Sequence, residues 1–282
     1  MNYEQTLLEL AQADERIIIM TAENRAAIRN LPSKLPDRFI DVGIAEQTLV
    51  GMAAGLALRG RIPIVHALST FLTMRAFEFI RTDIGIGNLQ VKLVGSFSGF
   101  QSEANGPTHQ AIEDISLMRG IPNMNVFCPS DEEDLLIGFP QIIKSKNPFY
   151  IRYTNQASSI EHDKDFKIGK AEIISEGRDV TIISYGILLK QAIEAAKILK
   201  LEGKSVGVIN LRTPKPIDKD AVVKACKDSI IVVTLEDHFL TGGLYSILSE
   251  ILVAGQIFSK VLPIALNDKW FKPALFNDVL KY

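Results

Sequence analysis

Cysteine is nearly absent: Cys128 and Cys226 are the only two in 282 residues. One sits in an apolar strand-like segment and the other in a helix-like one, so neither a disulfide framework nor a cysteine metal site is indicated. Buried thiols are expected for both. An excess of charge of either sign is also missing. Thirty-one Lys and Arg face 33 Asp and Glu, a formal net charge of −2, and no basic run exists that would track a phosphate backbone or a membrane surface. Nucleic acid and membrane are therefore not expected partners. No apolar run approaches the ~20 residues that span a bilayer. The opening Met1-Asn2-Tyr3-Glu4-Gln5 lacks the basic-then-apolar order of a secretory signal, so a soluble, cytoplasmic protein is expected. Internal repeats and low-complexity tracts are missing too.

What is present is 47% apolar residues, enough to build cores for two domains of roughly 100–150 residues each. Short β-branched runs at 17–20, 38–42, 62–65, 91–94, 125–128 and 149–152 alternate with helical patterns at about 44–58, 72–84, 110–119 and 131–144. That rhythm predicts α/β architecture, a mostly parallel sheet flanked by helices. A polar stretch containing Ser158-Ser159 and Glu161-His162-Asp163-Lys164-Asp165 interrupts it. Beyond it strands at 180–183, 205–209, 230–233 and 260–264 alternate with helices at about 188–201, 218–227 and 242–254. The expected organisation is a first domain over 1–155, a linker over 156–168 and a second α/β domain over 169–282.

Three segments carry candidate chemistry. In Asp41-Val42-Gly43-Ile44-Ala45-Glu46-Gln47 a strand ends, a glycine permits a tight turn, and a carboxylate enters the first turn of a helix that is apolar almost all round. Glu46 would then face the crevice beyond the carboxyl edge of the sheet, in low-dielectric surroundings where a carboxyl can exchange a proton with a ring nitrogen. The same position equally suits a glutamate that only favours a helix N-terminus. In Asn105-Gly106-Pro107-Thr108-His109-Gln110 a Gly-Pro turn presents an imidazole just before a helix, as a proton donor or acceptor or as a surface group. Phe71, at a strand-to-helix edge in Ser69-Thr70-Phe71, could stack on a flat ring or pack in the core; Phe77 and Phe79 read as core.

Taken in order, these segments resemble the C-terminal section of transketolases, especially those encoded as two chains. Matching stretches include 38–46, 74–84, Gly106-Pro107-Thr108-His109-Gln110-Ala111-Ile112-Glu113-Asp114, 118–124 and 211–218, with Glu236-Asp237-His238 and Gly242-Gly243-Leu244 in the second domain. The resemblance implies a pyrimidine-binding domain followed by the family's C-terminal domain, with thiamine diphosphate as cofactor. It implies that Glu46 hydrogen-bonds the aminopyrimidine N1′ and promotes the tautomer that removes the thiazolium C2 proton. Phe71 would stack on the pyrimidine, Ile44 and Arg75 would join the cofactor site, and His109, Asn105 and Arg152 would meet substrate. Glu113 and Asp114 would be helix-surface or subunit-contact residues.

The family's diphosphate site rests on a Gly-Asp-Gly motif, and no Gly-Asp-Gly occurs in this sequence. Mg²⁺ (or Ca²⁺) and the diphosphate would therefore be bound mainly by a separate N-terminal-section subunit, two of each chain forming an α2β2 assembly. Three positions depart from the pattern that reads a sugar phosphate. Phe97 replaces a histidine twelve residues before His109, Asn105 an aspartate four before it, and Asn155 a second arginine beyond Arg152. Losing that arginine removes a bidentate clamp on phosphate, which favours a modified or nucleotide-linked sugar, or a 2-oxoacid donor. The chain also stops about where the family has one more helix. The expected activity is transfer of a two-carbon ketol unit from ketose to aldehyde. Its rivals are the beta subunit of a 2-oxoacid dehydrogenase, a deoxyxylulose-phosphate synthase-like enzyme, and a non-catalytic assembly or regulatory subunit.

Overall fold

The computed structural model describes residues 2–281. Its first sheet has six parallel strands: β1 (Ile17–Thr21), β2 (Phe39–Asp41), β3 (Ile62–Leu68), β4 (Lys92–Ser96), β5 (Asn125–Phe127) and β6 (Phe149–Arg152), in the order β2-β1-β3-β4-β6-β5. Helices cover both faces: α1 (Tyr3–Ala13), α2 (Leu31–Lys34), α3 (Glu46–Leu58), α4 (Phe77–Phe79), α5 (Asp114–Arg119) and α6 (Glu132–Lys144). All five β1 residues are buried because both faces of the sheet are covered. Ile17 and Ile19 join the core on one face, Ile18 and Met20 that on the other.

The second sheet has β7 (Glu172–Ser175), β8 (Val180–Ser184), β9 (Val206–Asn210), β10 (Ile231–Phe239) and β11 (Val261–Leu266), in the order β11-β10-β8-β9-β7. With it pack α7 (Leu189–Leu201), α8 (Lys219–Asp228), α9 (Leu244–Ala254) and α10 (Phe276–Val279). Both domains are thus α/β with mostly parallel sheets, as the rhythm predicts. One strand lies outside that rhythm: β7 pairs antiparallel with β9 at the sheet edge.

Local chemistry sets several boundaries. Asp131 caps α6 by accepting from Asp134 N at 3.0 Å, three acidic residues follow in its first turn, and Lys144 closes its last. Asp218 caps α8 in the same way. The helix expected over 72–84 is irregular instead, with π turns at Phe71–Arg75 and Ile80–Gly85 flanking α4. Phe79 faces outward there, contrary to a core role, while Phe77 is partly buried against the core. The helix expected from residue 110 begins only at Asp114, because Ala111 exchanges main-chain bonds with Gly99.

Residues 156–168 form no helix or strand, yet they are anchored rather than free. Phe166 is fully buried edge-on against Phe127 at 5.4 Å, and His162 is buried between the domains. One apolar core runs from Met20, Val65 and Leu93 through to Ile183, Leu211 and Leu244, so the two domains share an interior. Both cysteines are buried thiols.

Candidate functional site

The chain passes from β1 to β2 on one side and then crosses to β3 on the other, so the sheet order reverses beside β1 and opens a crevice at the carboxyl edge. The segments after β2 and β3 meet there. Gly43 takes φ +72°, a left-handed turn that few side chains tolerate, and Asp41 Oδ1 accepts from Gly43 N at 2.9 Å. The turn delivers Glu46 to the first position of α3, where it is buried. Arg75 Nη1 donates to Glu46 Oε2 at 2.9 Å and supplies the counter-charge that a buried carboxylate requires. The Arg75 guanidinium also lies 4.2 Å from the centroid of the Phe71 ring. Phe71 in turn meets the His109 ring edge-on, centroids 5.1 Å apart. Thr70 Oγ1 donates to His109 O at 2.9 Å, and Thr108 Oγ1 lies 2.9 Å from His109 Nδ1.

Four residues singled out from sequence, Glu46, Arg75, Phe71 and His109, therefore form one contiguous chain of contacts. Ile44 stands exposed at the crevice turn. Asn105 instead lines a cavity of about 490 Å³ together with Phe97 and Asn155, at the same carboxyl edge of the sheet, and none of Glu46, Phe71, Arg75 and His109 lines it.

Arg152 and Asp114 require correction. Arg152 is not exposed to a ligand: Nε and Nη2 donate to the two carboxylate oxygens of Asp114 at 2.9 and 2.6 Å, and Nη1 to Asp237 Oδ1 at 2.5 Å. Tyr150 Oη adds a bond to Asp114 Oδ2 at 2.6 Å, so Asp114 is an interior residue, not a surface or subunit-contact one. Burial pushes the Asp237 carboxyl up, against the opposing pull of Arg152. Next to it Glu236 is raised by burial to about 7 although it accepts amide bonds from Leu244 and Tyr245 at the start of α9. Glu113 is only partly buried; one of its oxygens accepts from Ile112 N at 3.0 Å.

A second buried cluster joins the linker to both domains. His162 Nε2 lies 2.8 Å from Asp131 Oδ2 and Nδ1 2.9 Å from Glu172 Oε2. Arg212 forms ion pairs with Asp134 at 2.7 Å and Glu172 at 2.9 Å. Burial alone would lower the imidazole, but the bonds to Asp131 and Glu172 outweigh it and hold His162 at about 10. Asp134, His162 and Glu172 have metal-ligand chemistry within 4.8 Å of one another, yet their atoms already face Arg212 and one another as a closed ion network. Sequence reasoning passed over this network. The signal available was Glu172 and Arg212, each an ionisable residue inside an otherwise apolar segment; His162, Asp131 and Asp134 lie in polar runs that look like solvated surface.

Gln110, next to His109, is 1% exposed, and neither its Oε1 nor its Nε2 has a partner among the described residues. Among the described residues, a side chain engages Glu46 at Oε2 alone.

The transketolase pyrimidine-binding domain matches residues 1–159, and the transketolase C-terminal domain matches residues 169–282. This chain belongs to the transketolase family. It is 40% identical over 254 residues to the 6-deoxy-6-sulfo-D-fructose transketolase subunit SqwH of Clostridium sp. (strain MSTE9), covering 89% of this chain and 79% of that one. It is 36% identical to the 1-deoxy-D-xylulose-5-phosphate synthase of Dictyoglomus thermophilum, across 96% of this chain but only 44% of the synthase. A solved structure described as a split gene transketolase, inactive beta4 tetramer, superposes with a TM-score of 0.85 at 35% identity, covering 94% of this chain and 88% of that one. The likeness is thus to split transketolase C-terminal subunits of the thiamine-diphosphate family. No helix among the described residues is long and apolar enough to cross a membrane.

The crevice suits the pyrimidine end of that cofactor. It offers a buried carboxylate with one oxygen unengaged by side chains, and beside it an aromatic ring, which match the ring nitrogen and the flat face of an aminopyrimidine. The diphosphate end is not matched, because the cluster of metal-ligand type among the described residues is the closed ion network between the domains.

Proposed function

We propose that this chain is the pyrimidine-binding subunit of a split transketolase, active only when a diphosphate-binding subunit completes the site. The observation that carries the reading is Glu46, buried at the first turn of α3, paired with Arg75 and linked through Phe71 to His109. When bound, thiamine diphosphate supplies a nucleophilic carbon and an electron sink. Glu46 would hold a hydrogen bond to the pyrimidine ring nitrogen through its unengaged oxygen while Arg75 fixes the carboxylate. Ile44 would flank the ring, and Phe71 would stack on it by the face turned away from Arg75.

His109 would exchange a proton with the donor's C3 hydroxyl as the C2–C3 bond breaks, and with the acceptor's aldehyde oxygen as the new bond forms. The products are an aldose two carbons shorter than the donor and a ketose two carbons longer than the acceptor, with no net oxidation. Mg²⁺ or Ca²⁺ would sit with the diphosphate on the partner, in an α2β2 assembly located in the cytoplasm. The inactivity ascribed to the beta4 tetramer of the related split transketolase supports the need for a partner.

Calorimetric titration of thiamine diphosphate with Mg²⁺ tests this. Tight binding by the mixture of this chain with the diphosphate-binding subunit, and weak binding by this chain alone, is expected. Glu46→Gln in the complex should lower kcat by roughly 10²–10⁴-fold; normal turnover by that variant would end the catalytic assignment.

A further inference from the structure

The cavity of about 490 Å³ lies where β4 and β6 end, and Ser96, Phe97, Asn105 and Asn155 are among the residues that wall it. We infer that it seats the far end of the sugar and that it selects an uncharged, hydroxylated or deoxygenated end over a phosphate or a sulfonate. The inference rests on the ketol-transfer reading above and adds the substrate class.

Charge is the first ground. Among the described residues that line the cavity none is Lys, Arg or His, and the one ionised group is the carboxylate of Glu103. Tyr153, also in the wall, is a neutral phenol, pushed up to about 12 by burial and by the carboxylates of Glu132 and Glu4. Arg152, next along the chain, is spent on Asp114 and Asp237. A phosphate or sulfonate placed here would lose its water and meet a carboxylate instead of a guanidinium fork.

The chemistry of the wall is the second. Asn105, Asn155 and Gln156 present donors and acceptors in pairs, as sugar hydroxyls require, beside the apolar faces of Phe97 and Phe276. Ser102 is 5% exposed, and its Oγ has no partner among the described residues although the side chain lines the cavity. A hydroxyl in that state invites a hydrogen-bonding ligand.

Third, the wall is built under constraint. Phe97 holds φ +58° and Glu103 φ +47°, left-handed conformations that cost a bulky residue on the order of 1–3 kcal/mol. Phe97 keeps 45% of its surface open in that posture. The loop is braced from behind: Gly99 exchanges main-chain bonds of 2.9 and 3.0 Å with Ala111 and backs directly onto the Asp237 carboxylate. An aromatic ring clamped in a strained backbone on the mouth of a cavity is a placed wall, not a loose side chain.

The test compares ketose donors in the complex with the diphosphate-binding subunit: D-fructose, D-fructose 6-phosphate and 6-deoxy-6-sulfo-D-fructose, together with D-xylulose and its 5-phosphate. kcat/KM should be at least about tenfold higher for the neutral sugars, and Asn155→Arg should reverse the order for the phosphates. Saturation-transfer NMR of the same sugars with the complex should show the same order in binding, without turnover. A wild-type preference for phosphate or sulfonate, including one due to a cation reaching in from the partner, would overturn the inference and leave Glu46-dependent cofactor binding standing. Absence of cofactor binding by the complex would overturn the ketol-transfer reading and this inference with it.

Discussion

Replacing Arg152 by Met removes the cation shared by Asp114 and Asp237 and leaves two carboxylates in an interior where the arginine side chain itself was only 4% exposed. Breaking a buried pair by deleting one partner costs about 3–5 kcal/mol. In a chain of this length each kcal/mol moves Tm by about 2 °C, so a loss of about 6–10 °C is expected by calorimetry at pH 8. The deficit should depend on pH in a definite direction. Burial already holds the Asp237 carboxyl above its ordinary range. A carboxyl raised on folding is penalised above its folded pKa, and the penalty fades as pH falls through that value. Without Arg152 the folded value rises further, so the deficit at pH 5 should be visibly smaller than at pH 8. The triple variant Arg152→Met, Asp114→Asn, Asp237→Asn should regain most of the loss, because no charge is then left unpaired. A deficit below about 2 °C, or one equal at both pH values, would refute the argument.

Two further predictions concern the links between the domains. His162 is raised on folding from 6.5 to about 10, so its contribution is complete below about pH 6.5 and lost as pH rises through 10. The stability gap between the wild type and His162→Gln, read by denaturant melts, should therefore be widest near pH 6 and narrow toward pH 10. Gly99→Ala places a β-carbon against the Asp237 carboxylate at φ +59° and should destabilise by about 1–3 kcal/mol, with the KM for the sugar raised and cofactor affinity in the complex unchanged; an unchanged melt would show that the loop is not braced there.

The parts of the site visible from sequence are those built locally. Glu46, Phe71 and His109 each follow the end of a strand, and a parallel sheet collects such positions at one edge. Arg75 lies one turn beyond Phe71, close enough to be read with it. The strands announced themselves because burial on both faces demands continuous β-branched runs, as in β1. The π turns around α4 did not, since segments of five and six residues are too short to display a period of their own. β7 was hidden for a different reason: its Glu172 points inward to His162, Asn210 and Arg212, which makes a half-buried edge strand look polar. Arg152 misled because its partners stand 38 and 85 residues away, the second in the other domain. Nothing near it in the chain tells a buried guanidinium from a ligand clamp. Glu236-Asp237-His238 inside the apolar strand β10 was the available clue, three ionisable groups in a place that excludes them unless they are bonded.

The strand β5 lies at the outer margin of the first sheet, and its free side is taken by the second domain: Val126 N donates to Lys215 O at 2.7 Å, and just past the strand Cys128 N donates to Arg212 O at 2.8 Å. The stretch Leu211-Arg212-Thr213-Pro214-Lys215 is thus a cover for an otherwise unpaired row of main-chain groups. Severed from that cover, the first domain would present an open edge of apolar strand, the kind of surface on which chains add to one another sheet to sheet. Keeping the second domain on the same polypeptide therefore protects the first from self-association, whatever else that domain contributes.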